Sequence, residues 1–224
     1  MLPLYKKMAQ EMLLAKNNIT NKIFTLFFLI IFLSCNNLYA SKDFNYFDFI
    51  KEMNSFSTSF VQSTYDENGV LISTSKGNLL YKRKSKYVLE YTKPNKIKFI
   101  SDGNLITTYD QDLEQVIIQS VNDRIKNNIV DIFTNEELIK NKFILKLSFL
   151  DGENHINFSP LDKEYEKNIF LLVIRENKIK KITFVNDFDQ SVIMIFNGFK
   201  KNANILESSF KIDIPVSFDV IIDK

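Results

Sequence analysis

Tryptophan is missing from this chain of 224 residues, cysteine and histidine occur once each, and five glycines and four prolines are spread thinly along it. A single Cys35 excludes a disulfide framework, and one cysteine with one histidine cannot supply the ligand set of a zinc site. His155 has no serine or cysteine motif beside it, so no nucleophilic triad can be built around it; it reads as a surface residue just past the Asp151-Gly152 turn. A glycine-rich phosphate loop is also missing. The carboxylates Asp110, Asp112 and Glu114 lack the glycine and the later bidentate glutamate of a calcium loop, and read as a solvated turn. Without groups placed to attack, transfer protons or coordinate, the sequence describes a binding protein with no cofactor rather than an enzyme.

What is present begins with an address. Lys22 precedes the apolar run from Ile23 to Leu33, which is short of the roughly 20 apolar residues that span a bilayer. Polar Ser34 to Asn37 follow, then Leu38-Tyr39-Ala40 before Ser41. A basic start, a short apolar core and a small residue at the cut describe a secretory signal peptide, residues 1–40, cleaved between Ala40 and Ser41. The stretch before Lys22 is longer than such a start requires, which makes Met8 or Met12 an alternative initiator. Phe32-Leu33-Ser34-Cys35 loosely matches a bacterial lipoprotein signal, with Phe32 in place of the usual leucine. Removal of Cys35 with the leader is the favoured reading, and lipidation at Cys35 is the alternative.

Cleavage changes the charge. The leader holds Lys6, Lys7, Lys16 and Lys22 against Glu11, so the 29 basic and 27 acidic residues of the whole chain become 25 and 26, a net −1. No run of Lys and Arg interleaved with aromatics remains to track a nucleic acid. Residues 41–224 suit one domain, with no linker, repeat or low-complexity segment inside it. That domain has no disulfide to hold it in an oxidising compartment, so its core must suffice.

The mature chain opens with a predicted helix, Asp43 to Met53, capped by Asp43, in which Phe44, Phe47, Ile50 and Met53 form one apolar stripe. From Ser55 the period shifts towards two. Phe143, Leu145, Leu147 and Phe149 alternate with Ile144, Lys146 and Ser148; Ile97 and Phe99 flank Lys98; Phe210, Ile212 and Ile214 alternate with Lys211 and Asp213. Asn68-Gly69, Asp102-Gly103, Asp151-Gly152 and Asn186-Asp187 supply the turns. The unbroken apolar runs Ile169–Ile174 and Val192–Phe196 predict strands covered on both faces. Between Val121 and Lys142 the strand signal fades: Ile129, Ile132 and Phe133 recur at helical spacing, and Thr134-Asn135-Glu136-Glu137 reads as a capping box. Phe occurs 21 times, mostly at positions that read as ordinary core. The pattern is a large antiparallel sheet with a few short helices.

One set of spaced residues goes further. It comprises Phe56-x-x-x-Phe60-x-Gln62, Gly77-Asn78-Leu79 leading to Lys82-Arg83, Tyr91-Thr92-x-Pro94, Ser101-Asp102-Gly103 and Tyr109-Asp110-x-Asp112-Leu113-Glu114-Gln115. In order and spacing it resembles the LolA family of periplasmic lipoprotein carriers. The resemblance is dense from Phe56 to Val121 and thinner beyond, where Phe210-x-Ile212-x-Ile214-Pro215 and Asp219-Val220-Ile221 look like the family's closing strand and tail. It implies a mainly β (α+β) fold, an unclosed, strongly curved antiparallel half-barrel with a lid of short α-helices over an apolar face. It also implies a monomer in the periplasm that takes acylated lipoproteins from an inner-membrane ABC transporter (LolCDE) to the receptor LolB. Under that resemblance Arg83 matches the arginine after the second strand that tethers the lid. Phe60, Tyr87, Leu89 and Phe99 become candidates for the acyl-chain cavity. Lys84 stands where the family usually has proline, Tyr87 where it has phenylalanine and Leu89 where it often has tryptophan, so the lining is altered. The alternative, with Cys35 lipidated, is a membrane-anchored receptor or lipid-binding protein like LolB in shape.

Overall fold

The computed structural model of the chain describes residues 44–120, 130, 136–161, 169–186 and 188–223. Cys35, the Ala40–Ser41 junction, Asp43, Ile129, Ile132, Phe133, Thr134 and Asp187 lie outside the described residues. Phe44–Lys224 is one compact unit.

It opens with helix α1, Tyr46–Lys51. The cap is Asn45, whose Oδ1 accepts from the backbone N–H of Phe47 at 2.9 Å and of Asp48 at 3.3 Å, satisfying first-turn donors that have no helical partner. This corrects the expectation of an earlier start at Asp43, and it rotates the buried stripe. Tyr46, Phe49, Ile50 and Met53 are buried, whereas Phe44 and Phe47 are only partly buried against them.

Six strands follow: β1 Ser55–Tyr65, β2 Leu71–Lys82, β3 Lys86–Lys93, β4 Ile97–Asp102, β5 Leu105–Asp110 and β6 Gln115–Ser120. Helix α2, Glu136–Lys142, then leads into β7 Phe143–Leu150, β8 Glu153–Pro160, β9 Phe170–Arg175, β10 Lys178–Val185 and β11 Ser191–Lys201. A 3₁₀ turn, Glu207–Phe210, and a last strand, β12 Asp219–Ile222, complete the chain. The twelve strands among the described residues form one sheet in the order β12-β6-β5-β4-β3-β2-β1-β11-β10-β9-β8-β7. The sheet is curved and unclosed, with β12 and β7 at its edges. Its neighbours are antiparallel except β12, which runs parallel to β6 with Asp219 opposite Gln115.

Its two faces are covered differently. On the inner face one apolar cluster joins Phe56, Phe60, Leu79, Tyr81, Tyr87, Phe158, Leu172, Ile182, Met194 and Phe196 to the buried side of α1 and to Ile139 of α2. A smaller cluster lies on the outer face, where Val88 and Ile100 meet Ile205 and Phe210. The segment from Ala203 to Ile212 is therefore a strap across the back of β2–β4. It explains a departure from the sequence reading: Phe210, Ile212 and Ile214 alternate, but Phe210 ends a 3₁₀ turn and Lys211–Pro215 form no strand. The strap needs apolar contacts beneath it, not ladder hydrogen bonds.

Two more expectations are refined. β9 has Leu172, Val173 and Ile174 all buried, as a strand covered on both faces requires. β11 does not: Met194 and Phe196 are buried, while Ile195 between them is 50% exposed. On the edge strand β7 the alternation marks an inward face only at its start, where Phe143 and Leu145 pack against the core, while Leu147 and Phe149 are exposed. The carboxylate cluster is a turn. Asp110 Oδ1 accepts from the N–H groups of Asp112 and Leu113, and Asp112 Oδ2 from that of Lys96. His155 sits on β8 with its Nε2 3.8 Å from Glu153 Oε2.

Candidate functional site: an apolar face beneath a tethered helix

The site is built by strands β1–β4 and helix α1. Side chains alternate across a strand, so the two-residue spacing of Tyr87, Leu89 and Tyr91 on β3 sends all three to the inner face. Register then brings the neighbours together: Leu89 is opposite Leu79 on β2 and Phe99 on β4, and Phe60 on β1 is opposite Gly77 on β2. A Cβ at Gly77 would meet the ring of Phe60 at 2.6 Å and the Glu90 carbonyl oxygen at 2.0 Å. Glycine there makes the room that the Phe60 ring occupies.

Phe60, Tyr87, Leu89 and Phe99 thus share one face of four adjacent strands. Phe60 and Tyr87 are buried at 2% and 5% exposure, and Leu89 and Phe99 pack against them half-buried. Tyr91, part of the spaced motif but not among the cavity candidates, links them. Its ring stands edge-on to Phe60 at 5.3 Å and to Phe99 at 6.3 Å, and its hydroxyl donates to Gln62 Oε1 at 2.8 Å. Burial pushes the Tyr91 hydroxyl up to about 12, so it stays neutral. Tyr81 is likewise pushed up to about 12 by burial, and the nearby Arg83 charge pulls the other way. Among the described residues, the side chains that form this cluster are apolar or neutral aromatics, as an acyl chain requires of a wall.

Over it lies α1. Tyr46 meets Phe158 edge-on at 5.2 Å, and Lys140 of α2 sits 4.8 Å above the Phe47 ring. The helix is only six residues long, too short to hold its shape unaided.

Arg83 supplies part of that hold. It follows β2 at the tip of the β2–β3 hairpin, where Lys84 and Ser85 adopt φ of 69° and 57°. A proline at Lys84 could not take that angle. The hairpin aims the Arg83 guanidinium back across the sheet end to the last turn of α1. Its Nε donates to the Met53 carbonyl at 3.3 Å, and its Nη2 donates to the carbonyls of Ile50, at 3.2 Å, and Lys51. These helix-end carbonyls are short of helical donors and carry partial negative charge. The Arg83 backbone N–H also donates to the Asn54 carbonyl at 2.9 Å.

Bordering this face at Tyr91, a cleft of about 240 Å³ at the ends of β3–β5 is lined by Glu90, Tyr91, Lys96, Lys98 and Tyr109. It lies below the roughly 300–1,000 Å³ of ordinary ligand pockets, and the Lys98–Glu90 ion pair at 3.1 Å neutralises part of its wall. Among the described residues no group of three or more His, Cys, Asp or Glu could hold a metal, and no helix is long and apolar enough to cross a membrane.

Comparison with known proteins places this architecture. The outer-membrane lipoprotein carrier protein of Nitrosomonas europaea is 24% identical over 178 residues, covering 78% of this chain and 86% of that protein. The carrier protein of the same description from Nitrosospira multiformis is 24% identical over 196 residues, covering 87% and 95%. Among solved structures, an uncharacterized conserved protein from Thermus thermophilus shares the fold with a TM-score of 0.50 at 12% identity, covering 79% of this chain and 96% of that one. The family described as outer membrane lipoprotein carrier protein LolA matches residues 51–213, and the chain belongs to that family.

Proposed function

We propose that this protein is a periplasmic carrier that shelters the acyl chains of lipoproteins on the inner face of its sheet, under α1. The carrying observation is an apolar inner-face cluster on which a short helix packs, the helix being held by side chains from other elements. The chain acts by binding, not by catalysis. In this reading residues 1–40 are a signal peptide cut between Ala40 and Ser41, and residues 41–224 work as one monomeric domain. Cargo is received from an inner-membrane LolCDE-type ABC transporter and released to an outer-membrane LolB-type receptor. Arg83 is the latch of the lid, and Phe60, Tyr87, Leu89 and Phe99 are cavity wall.

The need for such a carrier is physical. Each methylene withdrawn from water contributes about 0.8 kcal/mol, so a chain of about 16 carbons is worth on the order of 12 kcal/mol. A lipoprotein cannot leave one membrane for another across water without a substitute for that burial.

The decisive measurement is a pull-down with acylated and deacylated forms of one lipoprotein. Acylated cargo is expected to be retained and deacylated cargo lost, because the binding energy is apolar burial; equal retention sinks the proposal. Intact-mass analysis of the exported protein separates the anchored alternative. A chain beginning at Ser41 is expected, and one beginning at acylated Cys35 would replace the soluble carrier with a membrane-held receptor.

A further inference from the structure

We infer that Asn202 is the hinge pin of the α1 lid, a positioning residue distinct from the Arg83 latch. The inference rests on the reading of α1 as a lid. Three residues, Glu52, Met53 and Asn54, join α1 to β1, and any swing of the helix is taken up there. Asn202 lies directly against them. Its side-chain Oδ1 accepts from the Asn54 backbone N–H at 2.8 Å, and its Nδ2 donates to the Glu52 carbonyl at 3.2 Å. One carboxamide thus satisfies the backbone on both sides of Met53, presenting a donor and an acceptor as a neighbouring strand would.

The backbone of Asn202 is placed for this. It follows β11 with φ of 56°, a left-handed conformation that asparagine tolerates better than most residues, and its own N–H donates to the Ser55 carbonyl at 2.7 Å. Ser55 in turn donates its hydroxyl to the Ala203 carbonyl at 2.6 Å. The joint is therefore stitched to the end of β11 by contacts on both sides of Asn202. Lys201 adds an ion pair to Glu52 at 3.1 Å and lies 5.1 Å above the Phe49 ring.

The two side chains divide the work by their distance from the axis. The Arg83 guanidinium donates to the carbonyls of Ile50 and Lys51 on the last turn of α1, and those two contacts must break when the helix lifts, whereas the bonds from Arg83 to Met53 and Asn54 lie in the joint. Asn202 grips the joint itself, where a rotation moves atoms least, so its contacts survive the swing. Losing the latch leaves a lid that still turns about one axis. Losing the pin leaves a lid with no fixed path and no unique closed position.

The test reads geometry without cargo. Nitroxide labels are placed on Asp48→Cys and Thr74→Cys, both at exposed positions, in the full chain exported in a Cys35→Ser background. Electron–electron distances are compared for the parent, Arg83→Leu and Asn202→Gly, the glycine keeping the left-handed backbone without the carboxamide. Arg83→Leu is expected to add one discrete longer distance, and Asn202→Gly to give a broad distribution with no discrete second peak. Asn202→Asp keeps the acceptor for Asn54 and loses the donor to Glu52, so its distribution should fall between. A parent-like distribution for Asn202→Gly, or the same discrete peak as Arg83→Leu, overturns the hinge assignment; if the glycine variant does not fold, a parent-like Asn202→Asp does so. Should Arg83→Leu show only the parent distance, α1 is no lid and the carrier mechanism fails first, which keeps the two failures apart.

Discussion

Gly77 shows how much can depend on one missing side chain. It is not in a left-handed turn, so nothing in its backbone calls for glycine. What calls for it is the Glu90 carbonyl oxygen 2.0 Å and the Phe60 ring 2.6 Å from where a Cβ would stand. The ring could shift, but the carbonyl belongs to the paired strand β3 and cannot without breaking the ladder. Gly77→Ala is therefore expected to destabilise the fold by about 1–3 kcal/mol, as overpacking does, with the near-ultraviolet signal of the Phe60–Tyr91–Phe99 group altered. Chemical denaturation checks the first, and unchanged stability would mean that β2 and β3 separate more easily than their register implies. Gly103 differs in kind. Its φ is 103° and a Cβ would meet the Lys84 carbonyl oxygen at 2.5 Å, so both backbone and space require glycine. The Ser101-Asp102-Gly103 motif accordingly packs one turn against another: Asp102 Oδ1 accepts from the Asn104 and Leu105 N–H groups, and Ser101 is fully buried. Spaced residues carried the family resemblance because their places in the fold are this restrictive. Asn202 carries no such mark in sequence, since an asparagine after two lysines at a strand end is common and its partners lie about 150 positions away.

The strap across the outer face holds by one carboxylate between two cations. Glu207 Oε1 is 2.6 Å from Lys82 Nζ and Oε2 is 2.7 Å from Lys86 Nζ. Lys82 and Lys86 face each other across the β2–β3 hairpin, whose tip carries Arg83. Hydrogen bonds from Lys82 and then Lys86 lower the Glu207 carboxyl from 4.5 to about 2. The folded value lies below the unfolded one, so the clamp contributes in full above about pH 4.5. It fades as pH falls between about 4.5 and about 2, and is gone below. The stability difference between the parent and Glu207→Gln should follow that window. A difference that vanishes already at pH 4 would mean that the clamp is broken in solution. Because the carboxylate is exposed, the effect at neutral pH will be small. Legible in sequence were the shift to period two from Ser55, the Ile97–Phe99 alternation of β4 and the turns at Asn68-Gly69 and Asp102-Gly103. The strap was not, because Phe210, Ile212 and Ile214 alternate as a strand would, and only the presence of Val88 and Ile100 beneath them decides otherwise. Nor was the start of α1, where Asn45 and Asp43 are equivalent caps by type and only the burial of Tyr46 and Phe49 selects the frame.

At the scale of the whole molecule, the proposed mechanism has closing of the lid and holding of cargo compete for the same apolar face. Burying Tyr46, Phe49 and Ile50 of α1 with Met53 just beyond it, at about 1.5–3 kcal/mol each, contributes on the order of 6–12 kcal/mol. One acyl chain contributes on the order of 12 kcal/mol. Exchange of lid for cargo is thus close to balanced, and a carrier needs that balance: cargo held much more tightly would never leave. On such a balance a modest directional term decides the outcome. Arg83 provides one, because each charge-assisted hydrogen bond to the helix end contributes about 1.5–3 kcal/mol and is made only when α1 is down. Losing one such bond shifts the closed–open ratio by about 10- to 150-fold. Arg83→Leu keeps much of the stem and removes every donor, so it is expected to fold, to take up acylated lipoprotein, and to fail at hand-off, since closing the lid is what expels the chain. Arg83→Lys should rescue only in part, because an ammonium cannot reproduce the planar fork that reaches three carbonyls. Phe49→Ala weakens the closed state through burial alone, by about 3–5 kcal/mol, and should likewise retain cargo with Arg83 intact. The measurement is transfer of bound lipoprotein to a LolB-type acceptor, with circular dichroism as the folding control. If folded Arg83→Leu delivers cargo at the parent rate, the guanidinium is only a helix cap and the driving force for release lies in the acceptor.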